Sequence, residues 1–224
     1  MHSFFEQVKG RLIVSCQALE DEPLHSAFIM GRMALAAKEG GAAAIRAQGA
    51  EDIAEIKKAA QLPVIGLIKR NYGDSDIYIT PTMREVEELL ESPCEMVALD
   101  MTDRARPNGE KTEDLVRKIH EAGRLVLADI STYEEGIEAE KLGADAVSTT
   151  LSGYTSYSPQ LDGPDYAVAA RLAADLSVPV FGEGRIHTPE DLRRMMDMGV
   201  WSAVVGSAIT RPQLITKDFV RALI

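Results

Sequence analysis

Ala59-Ala60-Gln61-Leu62-Pro63-Val64-Ile65-Gly66 and Ala173-Ala174-Asp175-Leu176-Ser177-Val178-Pro179-Val180-Phe181-Gly182 are two versions of one pattern, about half the chain apart. In each, a helical segment runs through a proline into a short apolar strand that reaches a glycine. The same kind of unit recurs outward from both. Short apolar runs stand at 12–16, 42–45, 64–68, 96–99, 125–128, 146–147, 180–181 and 203–205. They lack polar alternation, as strands buried on both faces do, and parallel sheets covered by helices bury both faces. Eight such strands alternating with helices allow an open doubly wound sheet or a closed barrel. Two similar halves of four strand–helix units favour closure. The expected fold is a closed (β/α)8 TIM barrel, one catalytic domain over residues 1–224, a length within the range of such barrels.

The segments between the runs carry helix punctuation. Thr82-Met83-Arg84-Glu85 is a capping box, followed by Val86, Leu89 and Leu90 on one face. Ser131-Thr132-Tyr133-Glu134 reads as the same device with Ser131 at the cap. Thr188-Pro189-Glu190-Asp191 offers an N-cap, a proline at the first helical position and two acids in the first turn. Gly123, Gly143 and Gly199 end helices. Residues 3–9 fit a short helix closing the barrel bottom.

The formal charge of −11 argues against nucleic acid as a partner, because phosphate-backbone binding needs a dense basic face. No run of eighteen apolar residues exists, so no membrane span is expected. The N-terminal stretch lacks a charged segment followed by a long apolar one, so the cytoplasm is the expected compartment. Cys16 and Cys94 have no CxxC or Cys/His spacing and read as reduced structural residues.

Chemistry in such barrels sits at the C-terminal ends of the strands. Those ends read Gln17, Arg46, Lys69, Asp100, Asp129, Thr149-Thr150, Glu183 and Gly206-Ser207. After the seventh run comes Gly182-Glu183-Gly184-Arg185, and after the eighth Gly206-Ser207-Ala208. Loops seven and eight commonly hold phosphate in this architecture. Gly184 and Gly206 let backbone N–H groups approach an anion, Ser207 starts a helix, and Arg185 adds a cation. Lys69 and Glu183 end the third and seventh strands, which face each other across an eight-stranded barrel. A lysine made partly neutral by burial or by Arg46 could take a proton from one face of a carbon while a glutamic acid supplies one to the other. The structural alternative is a buried Lys–Glu ion pair. Gln17, Arg46, Asp100 and Asp129 read as positioning groups, and Arg211 as a fixed cation or a surface residue. A metal on Asp100 and Asp129 lacks a third ligand. His2, His25, His120 and His187 form no constellation, although His187 follows the phosphate loop. The loops 152–163, with Tyr154 and Tyr157, and 71–80 read as a lid or as specificity segments.

These segments, together with Ile13-Val14-Ser15-Cys16-Gln17-Ala18-Leu19, Tyr78-Ile79-Thr80-Pro81-Thr82, Thr149-Thr150-Leu151-Ser152-Gly153-Tyr154-Thr155 and Val205-Gly206-Ser207-Ala208-Ile209-Thr210-Arg211-Pro212, resemble the N-acetylmannosamine-6-phosphate 2-epimerase family across nearly the whole chain. The resemblance implies a barrel of the ribulose-phosphate-binding type. It implies a cofactor-free, metal-free inversion at C2 of a phosphorylated N-acetyl amino sugar, in sialic-acid and amino-sugar breakdown. It makes Lys69 and Glu183 the proton-transfer pair and Gln17, Arg46, Asp129 and Arg211 sugar contacts. It makes Gly184, Arg185, Gly206 and Ser207 phosphate contacts and implies a homodimer through residues 217–224; opening of the sugar ring needs a further acid–base group, for which Asp129 is the candidate. Two rivals share the strand-end lysine and phosphate loops: a Schiff-base aldolase acting through Lys69, and a phosphosugar-binding barrel without catalysis.

Overall fold

A computed structural model describes residues 2–223. Met1 and Ile224, the outer ends of the expected domain and of the expected dimer segment, lie outside the described residues. The strands are β1 Leu12–Cys16, β2 Ala44–Gln48, β3 Val64–Leu67, β4 Met96–Asp100, β5 Leu125–Asp129, β6 Ala146–Ser148, β7 Val180–Glu183 and β8 Ser202–Val205. All neighbours pair in parallel, and β8 pairs back onto β1, closing the barrel. The helices are α1 Ser3–Val8, α2 Ala27–Glu39, α3 Ala50–Ala60, α4 Met83–Leu90, α5 Thr112–Glu121, α6 Tyr133–Lys141, α7 Tyr166–Asp175, α8 Pro189–Asp197, α9 Ser207–Thr210 and α10 Pro212–Arg221. This is the closed TIM barrel expected from the sequence.

The period of two along each strand divides the apolar residues between two layers. Ile13, Ala44, Ile65, Leu67, Met96, Ala98, Leu127, Ala146, Phe181 and Val204 fill the barrel interior, and Phe4, Phe5 and Val8 of α1 plug its lower end. Val14, Ile45, Val64, Val97, Leu99, Val126, Val147, Val180 and Ala203 point outward against the helices. The repeat that suggested closure has a packing cause here. Gly66 and Gly182 face outward where a helix-layer side chain presses on the strand. A Cβ on Gly66 would lie 2.9 Å from Ile53, and one on Gly182 only 2.3 Å from Met195.

Most elements begin or end one to three residues from the sequence reading, and two of these differences bear on the site and its caps. β2 begins at Ala44 and runs to Gln48, so Arg46 lies inside the strand rather than at its end, in register with Ser15 and Ile65. Gly41, at φ +100°, turns the chain into this strand. The cap of α6 is Thr132, one residue later than expected. Glu135 is the residue that closes the box, accepting from the N–H groups of Ser131 and Thr132. The box at Thr82 and the cap at Thr188 form as read, the latter closed into a box by Asp191, and Gly123, Gly143 and Gly199 follow their helices at positive φ.

Candidate active site

The inward phase that packs the barrel also builds the site. On seven of the eight strands a polar residue comes two positions above the last interior apolar side chain: Ile13 to Ser15, Ala44 to Arg46, Leu67 to Lys69, Ala98 to Asp100, Leu127 to Asp129, Ala146 to Ser148, and Phe181 to Glu183. The chain thus places a polar layer on top of an apolar plug. Above that layer opens a cavity of about 280 Å³, lined by Gln17, Arg46, Lys69, Glu183, Arg211 and the two glycine loops, among others.

Arg46 forms the floor with its side chain 1% exposed. Its Nη1 donates to Asp129 Oδ1 at 2.9 Å and to Glu183 Oε2 at 3.0 Å, while Nη2 donates to Asp129 Oδ2 at 2.5 Å. Burial disfavours the guanidinium charge, but the two carboxylates outweigh it and hold Arg46 protonated. Asp129 is fully buried beneath Arg46 and does not line the cavity. Both of its carboxylate oxygens accept from Arg46, whose guanidinium stands between Asp129 and the cavity. Asp100 is likewise engaged, with Arg104 Nη2 at 2.5 Å and the Thr102 hydroxyl at 2.7 Å. Among the described residues, no three His, Cys, Asp or Glu side chains gather as a metal-ligand set.

Glu183 Oε2 receives Arg46, the Thr150 hydroxyl at 3.0 Å and the Ser148 hydroxyl at 3.2 Å, while Oε1 has no protein partner among the described residues. Burial raises its pKa and the nearby Asp129 charge adds to that, against Arg46, Thr150 and Ser148. The carboxyl is thus biased toward carrying a proton. Lys69 has no carboxylate within ion-pair distance among the described residues. Burial, then the charges of Arg46 and Arg211, lower its pKa to about 8. The simple Lys–Glu ion pair is absent here: Glu183 is paired with Arg46, leaving the ammonium without a close counter-ion. The segment after Lys69 folds back, with Lys69 opposite Ile79, and brings Tyr78 and Ile79 to the cavity. Thr80 sits at φ +45° in this return, held by its N–H to Ile68 O at 2.7 Å.

Gln17 donates from Nε2 to Ser15 Oγ at 2.8 Å, leaving Oε1 buried without a protein partner. Arg211 lines the cavity and is anchored by Glu22 at 2.8 Å. Gly184 at φ +102° and Arg185 at φ +53° form a left-handed turn, and Gly206 leads into α9; both loops face the cavity. The Arg185 guanidinium lies at the cavity and is held by two backbone carbonyls. Its Nη2 donates to Ser152 O at 2.6 Å and its Nε to Gly163 O at 3.1 Å, so it staples both ends of the 152–163 loop. Gly153, at φ +77°, takes a left-handed backbone conformation there that favours glycine. The Thr155 and Tyr157 hydroxyls bond to Ser131 and Glu135. These bonds tie the loop to the barrel top, and it brings Tyr154 to the cavity. His187 also lines the cavity, His120 pairs with Asp145 on the outside, and Cys16 points outward into the core with its pKa pushed up to about 12 by burial.

Ser15, Tyr78 and Ser148 carry site geometry that the strand-end reading missed. Counting back by two from Gln17 and from Thr150 finds Ser15 and Ser148. Tyr78 has no such signal, because its place depends on a loop.

No helix among the described residues is long and apolar enough to cross a membrane. The family model "Putative N-acetylmannosamine-6-phosphate epimerase" matches residues 30–224. A Clostridium perfringens protein described as a putative N-acetylmannosamine-6-phosphate 2-epimerase is 68% identical over 212 residues, covering 95% of this chain and 96% of its own. One from Clostridioides difficile with the same description is 64% identical, covering 97% and 98%. A solved structure, described as an N-acetylmannosamine-6-phosphate 2-epimerase from Clostridium perfringens, matches with TM-score 0.97 and 65% identity over 99% of this chain and 96% of that one. A thiamine phosphate pyrophosphorylase from Pyrococcus furiosus, 20% identical at TM-score 0.62 over 93% of this chain and 90% of its own, shares the fold. With a family model over most of its length and relatives this similar, the chain belongs to the N-acetylmannosamine-6-phosphate epimerase family.

Proposed function

We propose that this chain, acting as one catalytic domain, interconverts N-acetylmannosamine 6-phosphate and N-acetylglucosamine 6-phosphate by moving the proton on C2. The observation that carries this reading is the unlike environment of two titratable groups on opposite strands: an ammonium without a close counter-ion at Lys69, and at Glu183 a carboxyl whose pKa burial raises. Opening of the sugar ring puts C2 next to the C1 aldehyde, which acidifies its proton. Neutral Lys69, roughly one molecule in ten at pH 7 for a pKa of about 8, removes it from one face. Charge spreads onto the C1 oxygen. Glu183 then delivers its proton from Oε1 to the other face and is left as a carboxylate held by Arg46, Thr150 and Ser148. The reverse direction exchanges the roles. Positioned acid–base groups of this kind contribute roughly 10²–10⁴-fold each.

The phosphate rests on the Gly184-Arg185 and Gly206-Ser207 loops, with Arg211 beside it. Glycine there keeps the backbone N–H groups approachable and α9 begins at the anion. Gln17 Oε1 accepts from a substrate N–H or O–H, and Arg46 supports the reacting end from below. The reaction takes place without a cofactor, in the cytoplasm, within the breakdown of sialic acid and other amino sugars. A second copy covers α10, whose Leu214, Phe219 and Val220 are exposed on a helix with no buried residue of its own, giving a homodimer.

Proton NMR of N-acetylmannosamine 6-phosphate with the protein in D2O tests the chemistry. Appearance of the C2 epimer with deuterium at C2 is expected, and binding without either change would refute it. Borohydride in the same mixture should leave Lys69 unmodified; a covalent adduct there would favour a Schiff-base lyase instead.

A further inference from the structure

The Thr150 hydroxyl occupies an unusual place. It lies 2.6 Å from Asp129 Oδ1, 2.8 Å from Ser148 Oγ and 3.0 Å from Glu183 Oε2. A hydroxyl carries one proton, so it donates to only one of these at a time. Two of the three are carboxylate oxygens on β5 and β7, the strands that flank β6, and Arg46 Nη1 donates to both. The charged groups facing Glu183 are Arg46 from β2, Asp129 from β5, and Lys69 across the cavity.

We propose that the Thr150 hydroxyl is a two-position switch that follows the charge of Glu183. While Glu183 holds its proton, Oε2 needs no third donor, and Thr150 points to Asp129, its nearest acceptor. When Glu183 has given the proton to carbon, its carboxylate charge draws the Thr150 hydroxyl across. Oε2 then has Arg46, Thr150 and Ser148 as donors together. Asp129 keeps both Arg46 bonds in either position, so neither carboxylate is ever stranded in the dry floor. No covalent bond changes: one O–H rotates between two acceptors. The consequence is an acid whose conjugate base is met by a donor at the moment it forms. Thr150 is therefore a positioning residue that sets the acid strength of Glu183.

This inference rests on the epimerase reading, in which Glu183 protonates one face of C2, and the test separates the two. Thr150→Val and Thr150→Ala remove the hydroxyl, and Thr150→Ser keeps it. A hydrogen bond to a charged group is worth roughly 10- to 100-fold. Thr150→Val should lower kcat by about that factor with KM changed less than about threefold. It should also move the acid limb of the pH profile upward, because the Glu183 carboxylate has lost a donor. Thr150→Ser should restore both. In D2O, Lys69 can still remove and return a proton on its own face without Glu183. Exchange at C2 of the epimer facing Lys69 should therefore outlast inversion in Thr150→Val, and exchange in the other epimer should not. The switch is overturned if exchange and inversion fall in parallel in both epimers, if the acid limb stays in place, or if Thr150→Ser matches Thr150→Val. Thr150→Ala gives the same readouts should Thr150→Val not fold. Wild-type protein that shows no C2 exchange refutes the epimerase reading itself.

Discussion

Replacing Lys69 by methionine should make this protein more stable while stopping its chemistry. The lysine pKa falls from its ordinary 10.5 to about 8 because burial and the charges of Arg46 and Arg211 oppose the ammonium. At about 1.36 kcal/mol per pH unit, keeping that ammonium in the folded site costs up to about 3 kcal/mol. Solvent entering through the cavity mouth reduces the figure. Methionine keeps the length and the apolar stem without the charge. The sign follows from proton counting. Below about pH 8 both folded and unfolded chains hold the proton, and the penalty is fully present. Between about 8 and 10.5 the unfolded chain holds it and the folded one does not, so the wild type gains stability as pH rises. Above 10.5 neither holds it and the penalty is gone. Lys69→Met should therefore melt higher than wild type by roughly 6–12 °C at pH 7, taking about 2–4 °C per kcal/mol for a chain of this size. The difference should shrink toward zero as pH approaches 10.5. Thermal unfolding followed by circular dichroism across pH 6.5–10.5 measures it, with epimerisation measured alongside. A variant no more stable than wild type at pH 7, or one whose advantage is the same at both ends of the range, refutes the picture of an unpaired, desolvated lysine.

Activity should follow a bell in pH. The working enzyme holds one proton on the Lys69–Glu183 pair, so kcat should fall above about 8, where the pair loses it, and fall again below the raised pKa of Glu183, where both groups are protonated; a profile still rising at pH 10 counts against it. Ser207→Asp sets a negative charge in the phosphate loops and should raise KM at least tenfold while leaving the fold intact by circular dichroism. Gly182→Ala drives a methyl into Met195, with a Cβ only 2.3 Å from Cγ. It should cost about 1–3 kcal/mol of stability in urea titration and lower kcat through the adjoining Glu183. Phe219→Asp, placing a charge on the exposed face of α10, should shift the sedimenting species from dimer to monomer; an unchanged species places the contact elsewhere.

Much of the site was legible because a barrel strand offers only two phases. Once Leu67 is read as interior, Lys69 must point to the same side, and Phe181 fixes Glu183 in the same way. Lys69 and Glu183 follow the two proline-to-glycine stretches of the internal repeat, on strands that closure sets opposite one another. For Asp129 the direction is legible and the neighbour is not. It points inward as the alternation requires, but Arg46 rises from inside β2 and covers it. The side-chain partners of Arg185 are hidden for a related reason. Its backbone belongs to the β7 loop, while its guanidinium reaches carbonyls of the β6 loop that are remote in sequence.

The sequence by itself determined the eight strands, the helix caps, the barrel class and the identity of the polar residues at the barrel mouth. Each of these rests on short-range periodicity, or on the side-chain chemistry of one position. Only the tertiary structure decided which of those residues touch. That Arg46 joins Asp129 to Glu183, that Lys69 is left without a counter-ion, and that one hydroxyl of Thr150 stands between two carboxylates all follow from closure of the sheet. Closure brings β2, β5, β6 and β7 to one point, and electrostatics at 3 Å is settled there rather than along the chain.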